Sequence, residues 1–460
     1  MSGAIESAIP GSGQNLEQPA SLNESELHEI VNLALESAKD AGASEAEAAA
    51  SVGDGLTINV RMGEVETIEH TRDRGLVVTV YFGKNSGSAS TSDYGHDAIV
   101  STVQAACSIA RFTEADPANG LADVELLATE FPDLGLYHPR LVNVDAQIDR
   151  ALSCEASALG FDTRVTNSEG ASVSSDRGVD VLGNSHGFRG VTRKTRYGIS
   201  CAVIGQTENG MQRDYWYDAA RRLDNLAEAR DVGVAAARRT IRRLDARKVP
   251  TCKVPVLFEA PIASGLISHF IGAISGGSLY RKASFLLDSK GQQLFPDFVR
   301  IHEQPHLQEA MGSAVFDSDG VATSARDIIS DGVLQDYVLS SYSARRLNLQ
   351  TTGNAGGVHN LTVNSGSLDL DGLLKEMNTG LLVTELVGHG VNTVTGDYSR
   401  GAAGFWVEGG EIQYPVEEIT IAGNLKDMYR NLVAVGSDAD LRGNTRCGSI
   451  LLDNMTVAGE

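Results

Sequence analysis

Leu56-Thr57-Ile58-Asn59-Val60 and Leu76-Val77-Val78-Thr79-Val80-Tyr81 are the stretches that decide the fold class. Apolar and polar residues alternate in the first and, more loosely, in the second, which is the period of a β-strand with one buried face. Similar runs return at 380–386 and 416–421. Strands therefore occur in groups rather than in a regular strand–helix repeat. This indicates an α+β fold with mixed or antiparallel sheets and flanking helices.

Helical spacing of apolar residues predicts the elements between these groups. The predicted helices are 26–40, with Ser25 as N-cap, 96–112, 144–159 and 225–244. Short strands are predicted between 162 and 217, with turns at 167–170 and 208–210, and another strand at 252–258. Residues 260–280 contain no charge except on His269, but Pro261, four glycines and four serines dilute their hydrophobicity, which favours a buried helix over a membrane span.

A length of 460 residues is too great for one compact core, so two domains are predicted. Residues 1–24 are rich in Ser, Gly, Pro and Glu, which is typical of a disordered tail. Pro250 follows the last helix of the first half and marks a boundary. The prediction is an N-terminal α+β domain at 25–247 and a strand-rich C-terminal domain at 248–460.

The charge balance argues against nucleic acid as a partner. The chain has 38 Lys and Arg against 60 Asp and Glu, a net charge of −22, whereas nucleic-acid surfaces need clustered cations. One basic cluster, which we interpret as a solvated helix end rather than an anion or partner site, consists of Arg238, Arg239, Arg242, Arg243, Arg247 and Lys248. Five scattered cysteines without a C-x-x-C pair, and the lack of a signal-peptide pattern, favour a cytoplasmic protein that does not enter a membrane.

Two short motifs match catalytic patterns without their structural context. His302-Glu303-Gln304-Pro305-His306 fits H-E-x-x-H, which needs both histidines on one continuous helix to bind zinc. Pro305 costs about 3 kcal/mol inside such a helix, so we interpret the match as accidental, with the histidines at a strand-to-helix turn. Residues 183–187 fit G-x-S-x-G, but no helix follows, so a hairpin turn is predicted. Neither the Walker A pattern nor the G-x-G-x-x-G fingerprint of nucleotide-binding proteins occurs in the chain.

Longer motifs carry a family resemblance. They are Tyr280-Arg281-Lys282-Ala283-Ser284, Asp331-Gly332-Val333-Leu334-Gln335-Asp336-Tyr337-Val338, Ser343-Ala344-Arg345-Arg346-Leu347, Thr352-Gly353-Asn354, the run from Val407 to Val416, and Ile421-Ala422-Gly423-Asn424. From about residue 50 to its end the chain resembles the TldD/TldE family, in which TldE is also called PmbA. Members were once described as modulators of DNA gyrase. The details are similar to the TldE/PmbA branch.

The resemblance implies a cytoplasmic complex of one TldD-like and one TldE-like subunit that cleaves unfolded or leader peptides at a single metal ion, expected to be zinc. The catalytic branch carries H-E-x-x-x-H just before the Arg-Lys motif, and a cysteine near the C-terminus. The corresponding segment here is 269–274, where Phe270 and Ile274 replace the glutamate and the second histidine. Cys447 is the one cysteine near the end, and we interpret it as a buried structural thiol.

This chain is therefore expected to bind no cofactor of its own and to have no catalytic or metal-binding residue, the metal belonging to a TldD-like partner. His269, Arg281 and Asn354 are candidates for substrate or interface contacts. An extended peptide would add to an exposed strand edge through main-chain hydrogen bonds. A homodimer of this chain is a further alternative, and the sequence does not identify the physiological peptide or the cleavage preference.

Two alternatives remain at this point. One is a self-sufficient metallopeptidase with unusual ligands, either His302 with His306 or His269 with Cys447. The other is a non-enzymatic regulator that binds another protein or nucleic acid, for which the cluster from Arg238 to Lys248 would be required.

Overall fold

The structure is a computed structural model and describes residues 23–459. The α+β prediction is confirmed, with 25% of residues in helices and 40% in strands. The predicted tail, residues 1–24, lies outside the described residues except for its last two positions.

The elements follow one another in mixed order. The helices are α1 (Glu24–Asp40), α2 (His96–Phe112), α3 (Val144–Leu159), α4 (Ala229–Arg242), α5 (Ala260–Ala273), α6 (Gly276–Tyr280), α7 (Ser341–Leu347), α8 (Leu370–Met377) and α9 (Leu425–Arg430). The strands of the first half are β1 (Glu45–Arg61), β2 (Glu64–Phe82), β3 (Asn85–Thr91), β4 (Val165–Asn184), β5 (Arg189–Thr207) and β6 (Gly210–Ala220). Those of the second half are β7 (Cys252–Phe258), β8 (Ile301–Glu303), β9 (Arg326–Ser330), β10 (Val333–Leu334), β11 (Leu361–Val363), β12 (Gly380–Val387), β13 (Asp397–Glu408), β14 (Glu411–Asn424), β15 (Leu432–Val435), β16 (Thr445–Arg446) and β17 (Ile450–Ala458).

The first half is built on one antiparallel sheet with the strand order β3-β2-β1-β4-β5-β6. Alternate residues of β4, such as Val173, Val179 and Val181, are buried. They pack in two clusters, one with α1 and α2 and the other with α3 and α4. Because side chains alternate across a strand, all four helices cover the same face of the sheet. The opposite face carries small polar and charged side chains, among them Ser172, Ser200 and Asp176.

The second half contains two sheets around the largest apolar cluster. The larger sheet has the order β14-β13-β12-β7-β17-β15, and β17 also pairs with β14, so five strands form a closed circuit. Helix α5 packs on one side of this sheet, and α8 packs on the other side. The smaller sheet has the order β10-β9-β8-β11-β16.

Most predicted helix positions are confirmed, and α2, α3 and β7 have the predicted bounds. Helix α1 begins earlier than predicted, so the N-cap is Asn23 and not Ser25. Helix α4 spans fewer residues than the predicted 225–244. The single helix predicted at 260–280 is interrupted after Ala273 and continues as α6.

The prediction of short strands between 162 and 217 was wrong. Three long strands fill this region, and the predicted turn at 167–170 lies inside β4. The register of β4 against β5 shifts between Val165 and Asn167 and between Ser168 and Gly170, and Gly170 has φ +115°. These irregularities accommodate the turn-like sequence while pairing with β5 continues. The predicted turns at 183–187 and 208–210 are confirmed as the connections between β4 and β5 and between β5 and β6.

The predicted domain boundary at 247/248 remains a prediction. Within residues 23–459, the structure contains no helix that is long and apolar enough to cross a membrane.

Candidate functional site

Helix α5 carries the segment that the resemblance aligns with the family's metal-binding motif. It follows directly on β7, and the Glu259 backbone N–H donates to the carbonyl of Val383 in β12. The Ala260 N–H at the start of the helix donates to Ser449 Oγ at 3.0 Å. Ser449 is itself held by Asp438, which accepts from the Ser449 hydroxyl at 2.6 Å and from its N–H at 2.9 Å. These contacts fix the helix on the larger sheet of the second half.

The two positions that replace the motif's glutamate and second histidine lie in the packed core. Phe270 and Ile274 are both 0% exposed. The Phe270 ring packs edge-on against Phe295 at 5.1 Å and against Tyr429 at 5.8 Å between ring centroids. Neither side chain has an atom that can act as a base or ligate a metal.

Cys447 is also enclosed, and its thiol is protonated at neutral pH. Its Sγ donates to the carbonyl of Gly448 at 3.2 Å. Burial, with a smaller contribution from the Asp438 carboxylate, raises the pKa of Cys447 to about 12. A metal-binding cysteine must be a thiolate. Across residues 23–459, no group of three His, Cys, Asp or Glu side chains is arranged to hold a metal ion. The side chains at positions 270, 274 and 447 therefore do not fit the metal that the resemblance implies.

His269 lies half-buried on α5 against the start of β13. Its ring packs edge-on against Tyr398, with 6.1 Å between the ring centroids. Burial lowers the pKa of His269, and the positive charge of Arg400 lowers it further. The imidazole is therefore neutral at neutral pH, with one nitrogen donor and one acceptor.

Arg281 is exposed at the end of α6. Its guanidinium lies over the Tyr280 ring at 5.3 Å, and the Arg346 guanidinium contacts the same ring at 5.4 Å. Tyr280 packs edge-on against Tyr342, whose hydroxyl donates to Asp116 at 2.7 Å. The arrangement leaves the Arg281 charge at the surface, where another molecule can contact it. Its role as a contact residue stays a prediction.

Asn354 lies in a buried polar network rather than at the surface. Its side-chain amide donates to Glu303 at 2.7 Å and to the Gly357 carbonyl at 3.0 Å. Its carbonyl oxygen accepts from Arg326 at 2.8 Å and from Thr352 at 2.7 Å. These bonds use both ends of the amide to hold the loop after α7 against β8. A direct contact with substrate would require this network to open, and the contact role of Asn354 stays a prediction.

The histidines of the H-E-x-x-H match lie on a strand and on the turn after it. His302 is in β8 and its Nδ1 lies 2.6 Å from Asp327 Oδ1, whereas His306 Nε2 lies 3.0 Å from Thr323 Oγ1. No helix follows the turn, contrary to the predicted strand-to-helix transition. The motif's Glu303 is paired with Arg326 at 2.9 Å. The geometry of a helical zinc motif is not formed.

The interpretation of the basic cluster as a solvated helix end was wrong for its central residues. The side chains of Arg239 and Arg243 are 14% and 10% exposed. Arg239 pairs with Glu259 at 2.9 Å, and both arginines lie 3.4 Å from Asp214. Arg243 also pairs with Glu385. The cluster therefore joins α4 to the N-terminal end of α5 and to β12.

Sequence reasoning missed several groups that surround α5, namely Glu259, Asp438, Ser449, Tyr398 and Arg400. Glu259 directly precedes the helix, but its partner Arg239 lies on α4. The other four come from distant parts of the chain, and the hydrogen bond between Ala260 and Ser449 spans 189 positions. No local pattern in the sequence marks such pairs.

Three family models match the chain in order. They describe PmbA/TldA metallopeptidase domain 1 at residues 46–110, the central domain at 137–244 and the C-terminal domain at 251–459. The chain is 52% identical to Metalloprotease PmbA of Escherichia coli O157:H7, covering 94% of this chain and 96% of that protein. It is 49% identical to the Metalloprotease PmbA homolog of Haemophilus influenzae, covering 95% and 97%.

Two solved structures share the fold. A Bacteroides thetaiotaomicron protein described as a candidate modulator of DNA gyrase has a TM-score of 0.90 at 28% identity, covering 94% of this chain and 99% of that one. TldE from Thermococcus kodakarensis has a TM-score of 0.78 at 18% identity, covering 94% and 100%, and shows likeness of fold alone.

Proposed function

Because the chain belongs to the PmbA/TldD metallopeptidase family, we propose that it is the PmbA/TldE-like subunit of a cytoplasmic metalloprotease complex. A TldD-like partner supplies the catalytic metal, expected to be zinc, and the general base. This chain supplies a binding surface next to that site. The substrates are unfolded or leader peptides.

The side chains at the family's metal positions carry this proposal. Phe270 and Ile274 are fully buried apolar residues. The Cys447 thiol has a pKa raised to about 12 by burial. A catalytic zinc needs three protein ligands and one open position, and these residues do not provide such a set. In this proposal, hydrolysis by the complex uses a metal held by the TldD-like subunit.

An open strand edge supports the handling of extended peptides. Strand β2 pairs with β1 along most of its length, but β3 pairs only with residues 76–82 of β2. Residues 64–75 of β2 therefore have one edge without a strand partner among the described residues. Such an edge presents main-chain donors and acceptors that accept an added strand of varied sequence. A peptide or a segment of the partner subunit fits this chemistry.

The proposal is tested by reconstitution with a TldD-like subunit. The two chains are purified separately and together, and hydrolysis of an unfolded peptide is measured for each chain alone and for the mixture. We expect co-purification of both chains and hydrolysis by the mixture that this chain alone does not produce. A matched variant, Phe270→Leu, keeps the position apolar and should leave the activity of the mixture unchanged.

Metal analysis separates the proposal from a self-sufficient peptidase. Stoichiometric zinc in the isolated chain, lost in His302→Ala or His269→Ala, would contradict it. A regulator that binds nucleic acid would need a free basic cluster, whereas Arg239 and Arg243 are already engaged in ion pairs. Salt-dependent DNA binding by the isolated chain would revive that alternative. Size-exclusion chromatography shows whether the chain alone forms a homodimer.

A further inference from the structure

One face of α5 borders open space. Gly265, Ser268, His269 and Gly272 are spaced i, i+3, i+4 and i+7, so they lie on the same side of the helix. Ser268 is exposed. A Cβ atom added at Gly265 or Gly272 would meet no atom of the described residues within 4 Å. This face, unlike the one that carries Phe270, is free to receive another chain at close range.

Two polar side chains beside His269 lack a full set of partners. Tyr398 is 1% exposed, and its hydroxyl lies next to the Arg400 guanidinium but has no hydrogen-bond acceptor in the described part of the chain. Arg400 Nε is likewise buried and unpaired. Arg400 is partly buried, and no carboxylate lies within ion-pair distance of it among residues 23–459. Buried polar groups are nearly always satisfied, so these two groups indicate a missing partner.

Tyr398 packs against the His269 ring, and Arg400 follows Tyr398 by two positions on the same face of β13. The three side chains match one kind of ligand. Arg400 acts on the pKa of both neighbours, lowering that of His269 and opposing the burial that raises the pKa of Tyr398 to about 12. The Tyr398 hydroxyl is therefore a proton donor throughout the physiological range. A guanidinium binds carboxylates with two parallel N–H groups, and a phenol and a neutral imidazole can add a donor each.

We propose that His269, Tyr398 and Arg400 bind the C-terminal carboxylate of an extended peptide lying along the open face of α5. The glycines at 265 and 272 let the peptide main chain approach the helix. The choice of a peptide as the ligand rests on the proposed function, but the site itself does not. Binding would anchor the end of a substrate or product next to the partner's metal.

The test is calorimetric titration of the isolated chain with a blocked Gly-Ser hexapeptide that has a free C-terminal carboxylate. Its C-terminal amide, an amide peptide with an internal glutamate, and acetate are titrated in parallel. We expect the free acid to bind about tenfold to a hundredfold more tightly than the amide, since a charge-assisted hydrogen bond is lost in the amide. Binding of the glutamate peptide as tightly as the acid would refute the C-terminal assignment.

Three variants and a control locate the effect. Arg400→Gln should abolish the preference for the acid, and Tyr398→Phe and His269→Gln should reduce it severalfold. Arg238→Gln, on an exposed arginine of α4, should change nothing. Circular dichroism and thermal melting verify that each variant is folded.

Equal binding of acid and amide, no binding of the acid by the folded chain, or an equal effect of the Arg238 control would overturn the proposal. Its failure is distinguishable from failure of the proposed function. A mixture with the TldD-like subunit can hydrolyse peptides without this carboxylate site, and the site can bind peptides in a chain that never joins a protease.

Discussion

Glu303 is a charged residue with only 2% of its side chain exposed, and Arg326 lies 2.9 Å from it. Burial acts to raise the pKa of Glu303, but the hydrogen bond from His359 and the charge of Arg326 outweigh burial and lower it. Glu303→Gln would leave Arg326 buried without its counter-charge. We expect the free energy of unfolding at pH 7 to fall by about 3–5 kcal/mol, measured by urea denaturation.

The pH dependence of the wild-type chain gives a second measure of Glu303. A carboxylate with a lowered folded-state pKa stabilises the fold above its unfolded pKa of about 4.3, and this contribution is lost as pH falls through the folded value. Glu303→Gln should remove that part of the acid-side slope. Glu169→Gln, at an exposed pair with Arg213, is the control and should cost less than about 1 kcal/mol. Equal losses in the two variants would contradict the assignment.

Cys447 gives a prediction at the same scale that bears on the metal. Its thiol is fully buried and its pKa is raised to about 12, whereas Cys252 is partly exposed. Iodoacetamide reacts with the thiolate, so we expect Cys252 to be alkylated first in the native chain and Cys447 only after unfolding. Mass spectrometry of tryptic peptides over time measures both sites. Rapid native labelling of Cys447 would indicate an accessible thiolate and reopen its role as a ligand.

At the scale of elements, α3 and α4 cross at a glycine. A Cβ on Gly233 of α4 would lie 2.1 Å from the carbonyl oxygen of Cys154 in α3. Alanine favours a helix over glycine by about 1 kcal/mol, but here the backbone would have to move. We therefore expect Gly233→Ala to destabilise the chain by about 1–3 kcal/mol. Gly265→Ala, on the open face of α5, is the matched control and should stabilise the chain by up to about 1 kcal/mol. Thermal melting of both variants measures the difference in sign.

The elements also show which parts of the fold a sequence predicts. Helices α2 and α3 have the predicted bounds because the helical spacing of their apolar residues is a local signal. The same residues are the ones that are buried in the core. The turn predicted at 167–170 lies within β4 because antiparallel pairing with β5 outweighs the turn preference of Asn, Ser and Gly. Tertiary pairing of this kind is not written in any short window.

In the candidate site, too, local signals were predicted and tertiary contacts were missed. His269 was identified because the family motif marks α5, and the presence of Pro305 correctly excluded a helical zinc motif at 302–306. Tyr398 and Arg400 were missed, since they lie more than 120 positions from His269 and reach it only through the packing of β13 on α5. Burial of Arg239 was missed for the same reason, because its partner Glu259 lies beyond the predicted boundary.

At the scale of the whole molecule, charges connect the two halves of the chain. Arg239 and Glu259 form an ion pair of 2.9 Å between α4 and the start of α5. Elsewhere, Glu47 of β1 faces like charges from Asp317 and Asp319 of the second half. The first contact attracts and the second repels, so their balance changes with pH. The larger pKa shift is that of Glu47, since burial and the charge of Asp319 raise the pKa of Asp317 only to about 6.

Burial, with the charges of Asp319 and Asp317, raises the pKa of Glu47 to about 8. A carboxyl whose folded pKa is raised binds its proton more tightly in the folded state, so the contribution of Glu47 to stability is greatest at low pH and falls as pH rises from about 4.5 to 8. Glu47→Gln should remove up to about 4 kcal/mol of this loss, making the mutant more stable than wild type at pH 8 but not at pH 5. Urea denaturation at pH 5, 6.5 and 8 measures the slope. The control is Glu69→Gln, at an exposed position on β2, which should keep the wild-type slope. If Glu47→Gln also keeps that slope, the pKa of Glu47 is not raised by its contact with the second half.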